Sequence, residues 1–325
     1  MRAVLCKQFG PPGSLVVEDV PEPEPGPAQV VVDVHGCGVN FPDVLMIEDK
    51  YQFKPPLPFS PGGEVAGVVS AVGDGVTAIA PGDRVLASTG WGGMAEKVAV
   101  PAASVVPVPP GPDLVEAAAF LFGHGTSHYA LRDRAGLREG ETLLVLGAAG
   151  GVGLAAVEIG AVMGARVIAA ASSDDKLALC RERGAHDTVN YATEDLRARV
   201  KDLTGGAGVD VCYDPVGGPY SEPAIRSMAW DGRFLVVGFA AGEIPRIPLN
   251  LVLLKSCRIV GVFWGAFAGR DPEAHRANVA ELVGWWRDGR VRPHVSRTFP
   301  LERAGEAIAE LAGRRAQGKV VVTTR

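Results

Sequence analysis

ETLLVLGAAGGVG, residues 141–153, joins a continuous apolar run to a glycine-rich turn. An apolar run that ends in glycine is typical of a strand buried on both faces of a parallel sheet. The segment LAAVEIGAVMGA, residues 154–165, follows with the composition of a helix that carries small residues on its early turns. Strand, glycine turn and helix in this order predict the phosphate-binding corner of a dinucleotide-binding fold.

The glycine-rich turn has the residue types that a phosphate requires. Gly150 lets the backbone approach a pyrophosphate, and Gly153 lets the helix pack closely on the strand. The helix start offers free N–H groups and the positive end of its dipole. We therefore predict that Gly150, Gly151, Val152 and Gly153 bind a dinucleotide. The first glycine of the usual G-x-G-x-x-G is Ala148 here, so the prediction depends on the setting between strand and helix.

The choice between NADH and NADPH depends on the end of the second strand, where NAD-binding folds place an acidic residue. Ala171 stands at that position, and the hydroxyls at 172–173 with Lys176 suit the 2'-phosphate of NADPH. NADPH is therefore the predicted cofactor. Ser173 is also suited to cap the next helix, with the aspartates at 174–175 near its dipole, and both roles can hold at once.

The rest of the chain divides into two parts. A length of 325 residues predicts two domains. Residues 1–110 hold short β-rich runs between prolines and glycines, and from residue 141 strands alternate with helices as in a doubly wound α/β sheet. The strand Lys319 to Thr323 has no place in that sheet. The predicted strands are 30–34, 65–72, 84–87, 141–147, 166–171, 188–190, 209–213, 233–237, 258–263 and 319–323, with helices near 114 and within 300–311.

Composition excludes several classes of protein. The formal net charge is −5 and no run of Lys and Arg could follow a phosphate backbone, so we expect no nucleic-acid partner. The five cysteines are odd in number and far apart, which favours a reducing setting. No leader-like segment and no apolar run of about 18 residues is present. We expect a cytoplasmic protein without a membrane partner.

Six motifs together resemble the medium-chain dehydrogenase/reductase superfamily, in its zinc-free NADPH:quinone oxidoreductase, zeta-crystallin-like branch. They cover nearly the whole chain. The resemblance implies a GroES-like β-barrel catalytic domain, residues 1–122 and 264–325, plus a Rossmann NADPH-binding domain, residues 123–263, with the active site in the cleft between them. The motifs are GCGVNFPDV (36–44), PGGEVAGVVSAVG (61–73), GDRV (82–85), GAAGGVG (147–153), VNY (189–191) and GKVVV (318–322).

Zinc is not expected. Relatives that bind a catalytic zinc carry its ligands at positions that correspond here to Asn40, Gly63 and a residue near Phe122, none of them suited to zinc. The lobe with four closely spaced cysteines is also missing. Zinc prefers clustered Cys and His ligands. His124 and His128 have i, i+4 spacing, but the glycines around His124 argue against a shared helix face, so the metal prediction is none.

The resemblance also implies the residues that hold the cofactor. Tyr191 is alternatively a packing residue at a strand end, and Phe239 and Trp264 are alternatively core residues. The sixth strand IVGVFW, residues 259–264, can pair with its copy across a homodimer. The implied cofactor residues are Asn40, Thr126, Gly150, Gly151, Val152, Gly153, Ser173, Lys176, Tyr191, Phe239, Phe263, Trp264 and Gly265.

Without zinc, a nicotinamide enzyme delivers hydride most readily to a quinone or to a carbon–carbon double bond conjugated to a carbonyl. Tyr51 is the predicted proton or hydrogen-bond donor, and Asn40 is predicted to orient the nicotinamide ribose or the substrate oxygen. Each residue also has an alternative interpretation without a catalytic role: Tyr51 as a tyrosine in a surface loop, and Asn40 as an asparagine that fixes a turn. Two other functions stay open: an enoyl- or acryloyl-CoA reductase, and a non-catalytic NADPH-binding protein of the crystallin kind.

Overall fold

The computed structural model describes residues 1–325, which divide into two compact units, residues 1–122 with 293–325 and residues 123–292. The strands are Arg2–Leu5 (β1), Val16–Asp19 (β2), Gln29–Val39 (β3), Glu64–Val72 (β4), Arg84–Ser88 (β5), Lys97–Pro101 (β6), Val105–Pro107 (β7), Thr142–Leu146 (β8), Arg166–Ala171 (β9), Asp187–Asn190 (β10), Val209–Asp214 (β11), Met228–Val236 (β12), Arg258–Gly261 (β13), Val295–Pro300 (β14) and Lys319–Thr323 (β15). The α-helices are Phe41–Ile47 (α1), Leu114–Ala117 (α2), Leu121–His128 (α3), Gly151–Val162 (α4), Asp174–Glu182 (α5), Leu196–Leu203 (α6), Ser221–Arg226 (α7), Leu249–Lys255 (α8), Trp264–Arg270 (α9), Pro272–Arg287 (α10) and Ala304–Ala312 (α11).

The first unit is built on a seven-stranded sheet. Its path runs β14-β15-β3-β4-β5-β7, and β6 pairs with β3. Alternate valines of β3, β4 and β15 point into one apolar core, which α11 covers with Ala307 and Ile308. The last strand, which had no place in the α/β sheet, pairs antiparallel with β3 in this unit. This confirms the GroES-like half of the predicted fold, in which the chain's end returns to its beginning.

The second unit is a six-stranded, all-parallel sheet. Its order is β10-β9-β8-β11-β12-β13, which in chain order reads 3-2-1-4-5-6. That order defines the Rossmann fold, in which ligands bind where the strand order reverses, here between β8 and β11. The central strands β8, β9 and β11 are buried and largely apolar because helices cover both faces of the sheet. The predicted doubly wound sheet is confirmed.

The boundary between the units differs from the prediction near the C-terminus. Residues 264–292, expected in the first domain, belong to the second unit. Side-chain contacts explain the difference: Asn278 donates to Asp133 at 2.6 Å, and His128 lies 2.8 Å from Glu281. These contacts fix α10 to the end of α3 and to the helical segment after it, so the second unit ends at Arg292 and not at the sixth strand. None of the helices combines the length and apolar character needed to cross a bilayer.

Candidate cofactor and active site

The glycine-rich turn begins directly after β8, at the point where the strand order reverses. Gly147 has a φ of 56°, and a Cβ there would lie 2.7 Å from the side chain of Val216, which follows β11. A Cβ on Gly153 would lie 2.3 Å from the carbonyl oxygen of Gly147. Glycine is therefore required at both positions, by the positive φ at one and by close helix packing at the other.

Gly150 is the N-cap residue of α4. A Cβ there would meet only the carbonyl of Gly147, at 3.3 Å, so its other side is open. The first N–H groups of a helix have no partner within the helix, and here they belong to Gly151, Val152 and Gly153. This arrangement of free N–H groups at a helix start suits a phosphate group.

A pair of buried hydroxyl groups contacts the glycine-rich turn and stabilises it. The sequence analysis did not predict this pair. Ser127 on α3 donates to the carbonyl of Val152 at 2.8 Å, and its hydroxyl lies 2.9 Å from that of Tyr213 on β11. Both side chains are fully buried. Thr126, predicted to contact the cofactor, is the neighbouring residue and is 8% exposed. No signal in the sequence singled out this serine, because α3 also carries a threonine and two histidines.

The residues predicted to select the cofactor lie together at the carboxyl end of β9. Lys176 donates to the hydroxyl of Ser172 at 3.3 Å. Ser173 occupies the N-cap position of α5, but its side chain makes no capping hydrogen bond. The carboxylate of Asp174 accepts from the side chain of Asn190 at 2.8 Å. The carboxylate of Asp174 is thus already paired, and the hydroxyl and ammonium groups contribute to the polar surface there.

Four further predicted cofactor residues lie at the ends of other strands. Tyr191 follows β10, and its ring centroid lies 4.4 Å from that of Tyr220. Phe239 follows β12 and packs over Gly217. After β13, Phe263 is 45% exposed and Trp264 is 6% exposed.

Trp264 has the packing role that its alternative interpretation predicted. A Cβ on Gly125 would lie 2.6 Å from the indole ring, and His275 contacts the ring edge-on at 5.4 Å between centroids. Gly265 has open space at its Cβ position. Of the segment 263–265, Phe263 and Gly265 are therefore the residues accessible to a ligand.

In the first unit, Asn40 lies at the end of β3 within a buried polar network. Its side-chain nitrogen donates to the carbonyl of Gly38 and to Glu64 Oε2, both at 3.1 Å, and its oxygen accepts from Lys319 Nζ at 2.5 Å. Lys319 also lies 2.9 Å from Glu64 Oε2, and Phe122 donates its N–H to Glu64 Oε1 at 2.8 Å. Sequence reasoning missed Glu64 and Lys319; their signal was a charge at the start of an apolar strand.

Asp43 bonds to Asn40, and Tyr51 lies close enough to Asp43 for its charge to act on the phenol. Asp43 accepts the N–H of Asn40 at 2.7 Å and that of Gly62 at 3.0 Å, and burial raises its pKa to about 6 despite these two bonds. Tyr51 follows α1, is partly buried, and contacts Phe53 edge-on at 5.9 Å between ring centroids. Burial, together with the charge of Asp43, raises the pKa of Tyr51, so its phenol keeps its proton at neutral pH.

The side chains at the positions where relatives hold zinc do not fit that metal. Asn40 is bonded to a lysine ammonium, and Gly63 offers no ligand. His124 and His128 do share helix α3, contrary to the sequence argument, but they pair separately with Glu158 and Glu281. No group of three or more His, Cys, Asp or Glu side chains that could hold a metal ion is present.

Comparison with known proteins agrees with this architecture. Residues 26–110 match the family described as alcohol dehydrogenase GroES-like domain, and residues 151–283 match the family described as zinc-binding dehydrogenase. A quinone oxidoreductase-like protein 2 homolog from Nematostella vectensis is 42% identical over 100% of this chain and 89% of its own length. A quinone oxidoreductase from Pseudomonas aeruginosa is 36% identical, with 99% of each chain covered.

A solved structure shows the same fold. The quinone oxidoreductase of Escherichia coli, solved in complex with NADPH, has a TM-score of 0.92 and 28% identity, over 99% of this chain and 100% of its own. The two domains, the glycine-rich turn and the similarity over the full length of the chain all indicate the same family. The chain belongs to the medium-chain dehydrogenase/reductase superfamily, among its quinone oxidoreductase-like members.

Proposed function

We propose that this protein transfers hydride from NADPH to a quinone or to an α,β-unsaturated carbonyl compound, without zinc. The observation that carries the proposal is the open helix start at Gly150–Gly153, at the point where a Rossmann sheet reverses its strand order. The Escherichia coli relative, solved with NADPH, supports the same cofactor here. When bound, NADPH supplies the hydride, and the protein's part is to hold, orient and protect the reactants.

For the adenosine half of the cofactor, Ser173 and Lys176 would bind the 2'-phosphate, and the N–H groups of 151–153 would bind the pyrophosphate. Tyr191, next to the Asn190–Asp174 pair, would lie beside the adenosine. Thr126, Phe239, Phe263 and Gly265 would line the remaining length of the cofactor. Trp264 would act indirectly, because its ring packs on Gly125.

For the acceptor, Tyr51 is the proposed hydrogen-bond donor. Its raised pKa keeps the phenol protonated, as required of a group that must donate to an oxygen gaining negative charge. A quinone needs less of this help than an enone because its reduction gives a stabilised phenolate. The quinone oxidoreductase relatives support a quinone as the acceptor.

The test is to follow NADPH oxidation with a panel of quinones, enones and enoyl-CoA thioesters, before and after treatment with a strong chelator. We expect turnover with quinones or enones, unchanged by the chelator, and no stoichiometric zinc by elemental analysis. Preference for thioesters would instead make the protein an enoyl-CoA reductase. Binding of NADPH without turnover on any acceptor would favour a non-catalytic role.

We also propose that the protein forms a homodimer through β13 and α8. β13 is an edge strand that pairs only with β12, and Ile259 on it is 41% exposed. Leu249 and Leu253, one turn apart on α8, are each 76% exposed, and Leu254 is 66% exposed. An edge strand can pair with its own copy about a two-fold axis, which would also cover these leucines.

A further inference from the structure

The first unit buries an ion pair directly beside Asn40. The side chain of Lys319 is 6% exposed and that of Glu64 is 1% exposed, with 2.9 Å between Nζ and Oε2. A buried ion pair contributes little net stability because the loss of hydration offsets most of the attraction. The pair also joins the start of β15 to the start of β4, and both charged groups bond to the same carboxamide.

The orientation of the Asn40 carboxamide follows from its partners. A lysine ammonium has only donors, so the atom 2.5 Å from Lys319 Nζ must be the carboxamide oxygen. The other atom lies 3.1 Å from a backbone carbonyl and 3.1 Å from Glu64 Oε2, both acceptors, so it must be the amide nitrogen. Lys319 and Glu64 thus select one of the two possible orientations.

Only one hydrogen-bonding position of Asn40 stays open in this orientation. Both N–H groups of the amide are used by Gly38 and Glu64, and one lone pair of the oxygen is used by Lys319. The second lone pair of the oxygen remains, because the N–H of Asp43, which a capping box would direct at this oxygen, bonds instead to the backbone carbonyl of Asn40 at 3.0 Å. Asn40 can therefore accept a hydrogen bond from a ligand but has no N–H with which to bind one.

This acceptor character decides between two roles for Asn40. The oxidised quinone or enone has only carbonyl oxygens, which accept and cannot donate. The ribose hydroxyls of the nicotinamide nucleotide can donate. We propose that Lys319 and Glu64 are positioning residues that hold Asn40 as a hydrogen-bond acceptor for a hydroxyl of the nicotinamide ribose, an inference that rests on the proposed function.

The test measures NADPH binding by fluorescence titration, without an acceptor. Lys319→Met removes the donor that holds the carboxamide, so the dissociation constant for NADPH should rise about tenfold, the effect of one lost hydrogen bond to the ligand. Adenosine 2',5'-bisphosphate, which lacks the nicotinamide ribose, should bind the variant as it binds the wild type. Lys319→Arg keeps a charged donor and should recover part of the lost affinity.

A double-mutant cycle separates positioning from a general loss of structure. If Lys319 acts through Asn40, the Asn40→Ala/Lys319→Met protein should bind NADPH as Asn40→Ala does. Independent effects would multiply to about a hundredfold loss, which would overturn the proposal. If circular dichroism shows that Lys319→Met does not fold, Glu64→Gln takes its place in the cycle, since it removes an acceptor of the same amide.

Failure of this inference differs from failure of the proposed function. A wild-type protein that binds NADPH and reduces a quinone, with Lys319→Met and Glu64→Gln binding NADPH equally well, overturns only the positioning role. A wild-type protein that does not bind NADPH overturns the proposed function and the positioning role together.

Discussion

At the scale of single residues, Lys176 is the clearest determinant of cofactor choice. Its ammonium lies next to the Ser172 hydroxyl, while the Asp174 carboxylate is paired with Asn190. We expect Lys176→Ala to weaken NADPH binding by about 1–3 kcal/mol, the value of one charge-assisted hydrogen bond, and to leave NADH binding nearly unchanged. Fluorescence titrations of both cofactors measure this difference, and Lys201→Ala on α6 is the control for loss of a surface charge. Equal losses for NADPH and NADH would contradict the assignment.

Tyr51 is the second residue whose role can be isolated. Tyr51→Phe removes only the hydroxyl and keeps the ring that contacts Phe53. With enones we expect kcat to fall about tenfold, because water can partly replace a single donor. With quinones the loss should be smaller. Steady-state kinetics with one acceptor of each kind provide the comparison; an unchanged enone rate would remove the tyrosine from the mechanism and leave the rest of the proposal intact.

At the scale of elements, the contact between α3 and the start of α4 depends on the buried Ser127–Tyr213 pair. Ser127 donates to Val152, so the shared hydrogen bond comes from the Tyr213 hydroxyl. Ser127→Ala leaves that phenol buried without a partner and should destabilise the protein by about 1–3 kcal/mol. Tyr213→Phe removes the donor and leaves Ser127 bonded to Val152, so it should cost less. Urea unfolding measures both, and a larger loss in Tyr213→Phe than in Ser127→Ala would contradict this assignment of the donor.

The π-helical turn Tyr129–Arg134 follows α3, and His128 just before it gives a pH dependence with a definite sign. Burial, with the Arg132 guanidinium that also pairs with Glu281, lowers the pKa of His128 to about 4. The folded state then binds fewer protons than the unfolded state between about pH 4 and 6.5, so stability rises with pH through that window and is lost as pH falls.

The lowered pKa of His128 changes the free energy of unfolding by about 3 kcal/mol across this window, from 1.36 kcal/mol per pKa unit. His128→Gln carries no titrating group and should flatten the dependence over this window, relative to the wild type. Urea unfolding at several pH values between 4 and 7 gives the two profiles. Parallel profiles would show that His128 does not titrate differently on folding.

Elements that follow local sequence patterns were predictable. β9 and β15 have the predicted bounds, because their apolar runs are bracketed by charged residues and glycines. The true position of the domain boundary, after Arg292 and not before residue 264 as expected, could not be predicted from local patterns. Helix α10 is held in the second unit by Asn278 and Glu281, whose partners lie about 150 residues earlier in the chain. The Lys319–Glu64 pair was missed for the same reason: each residue, taken alone, is a charge beside a strand.

At the scale of the whole molecule, the proposed dimer is the property most open to a direct test. We expect sedimentation velocity to give twice the mass of the 33.9 kDa chain. Leu253→Glu and Ile259→Lys place charges on exposed apolar positions of α8 and β13 and should shift the protein toward monomer, because a buried unpaired charge is costly. Val16→Glu, at a 38% exposed position on β2, is the matched control. A wild-type monomer would exclude the assembly.

The pairing of β15 with β3 determines the order in which the two units can complete their folding during synthesis. Val322 lies opposite Cys37, and the whole second unit is encoded between them. On the ribosome, residues 123–292 emerge and can fold as a unit while the first unit still lacks its last strands. Until β15 has been synthesised, that end of β3 presents unpaired N–H and C=O groups, the kind of edge that associates with other chains. The nascent first unit, and not the Rossmann unit, is therefore where a chaperone would be needed.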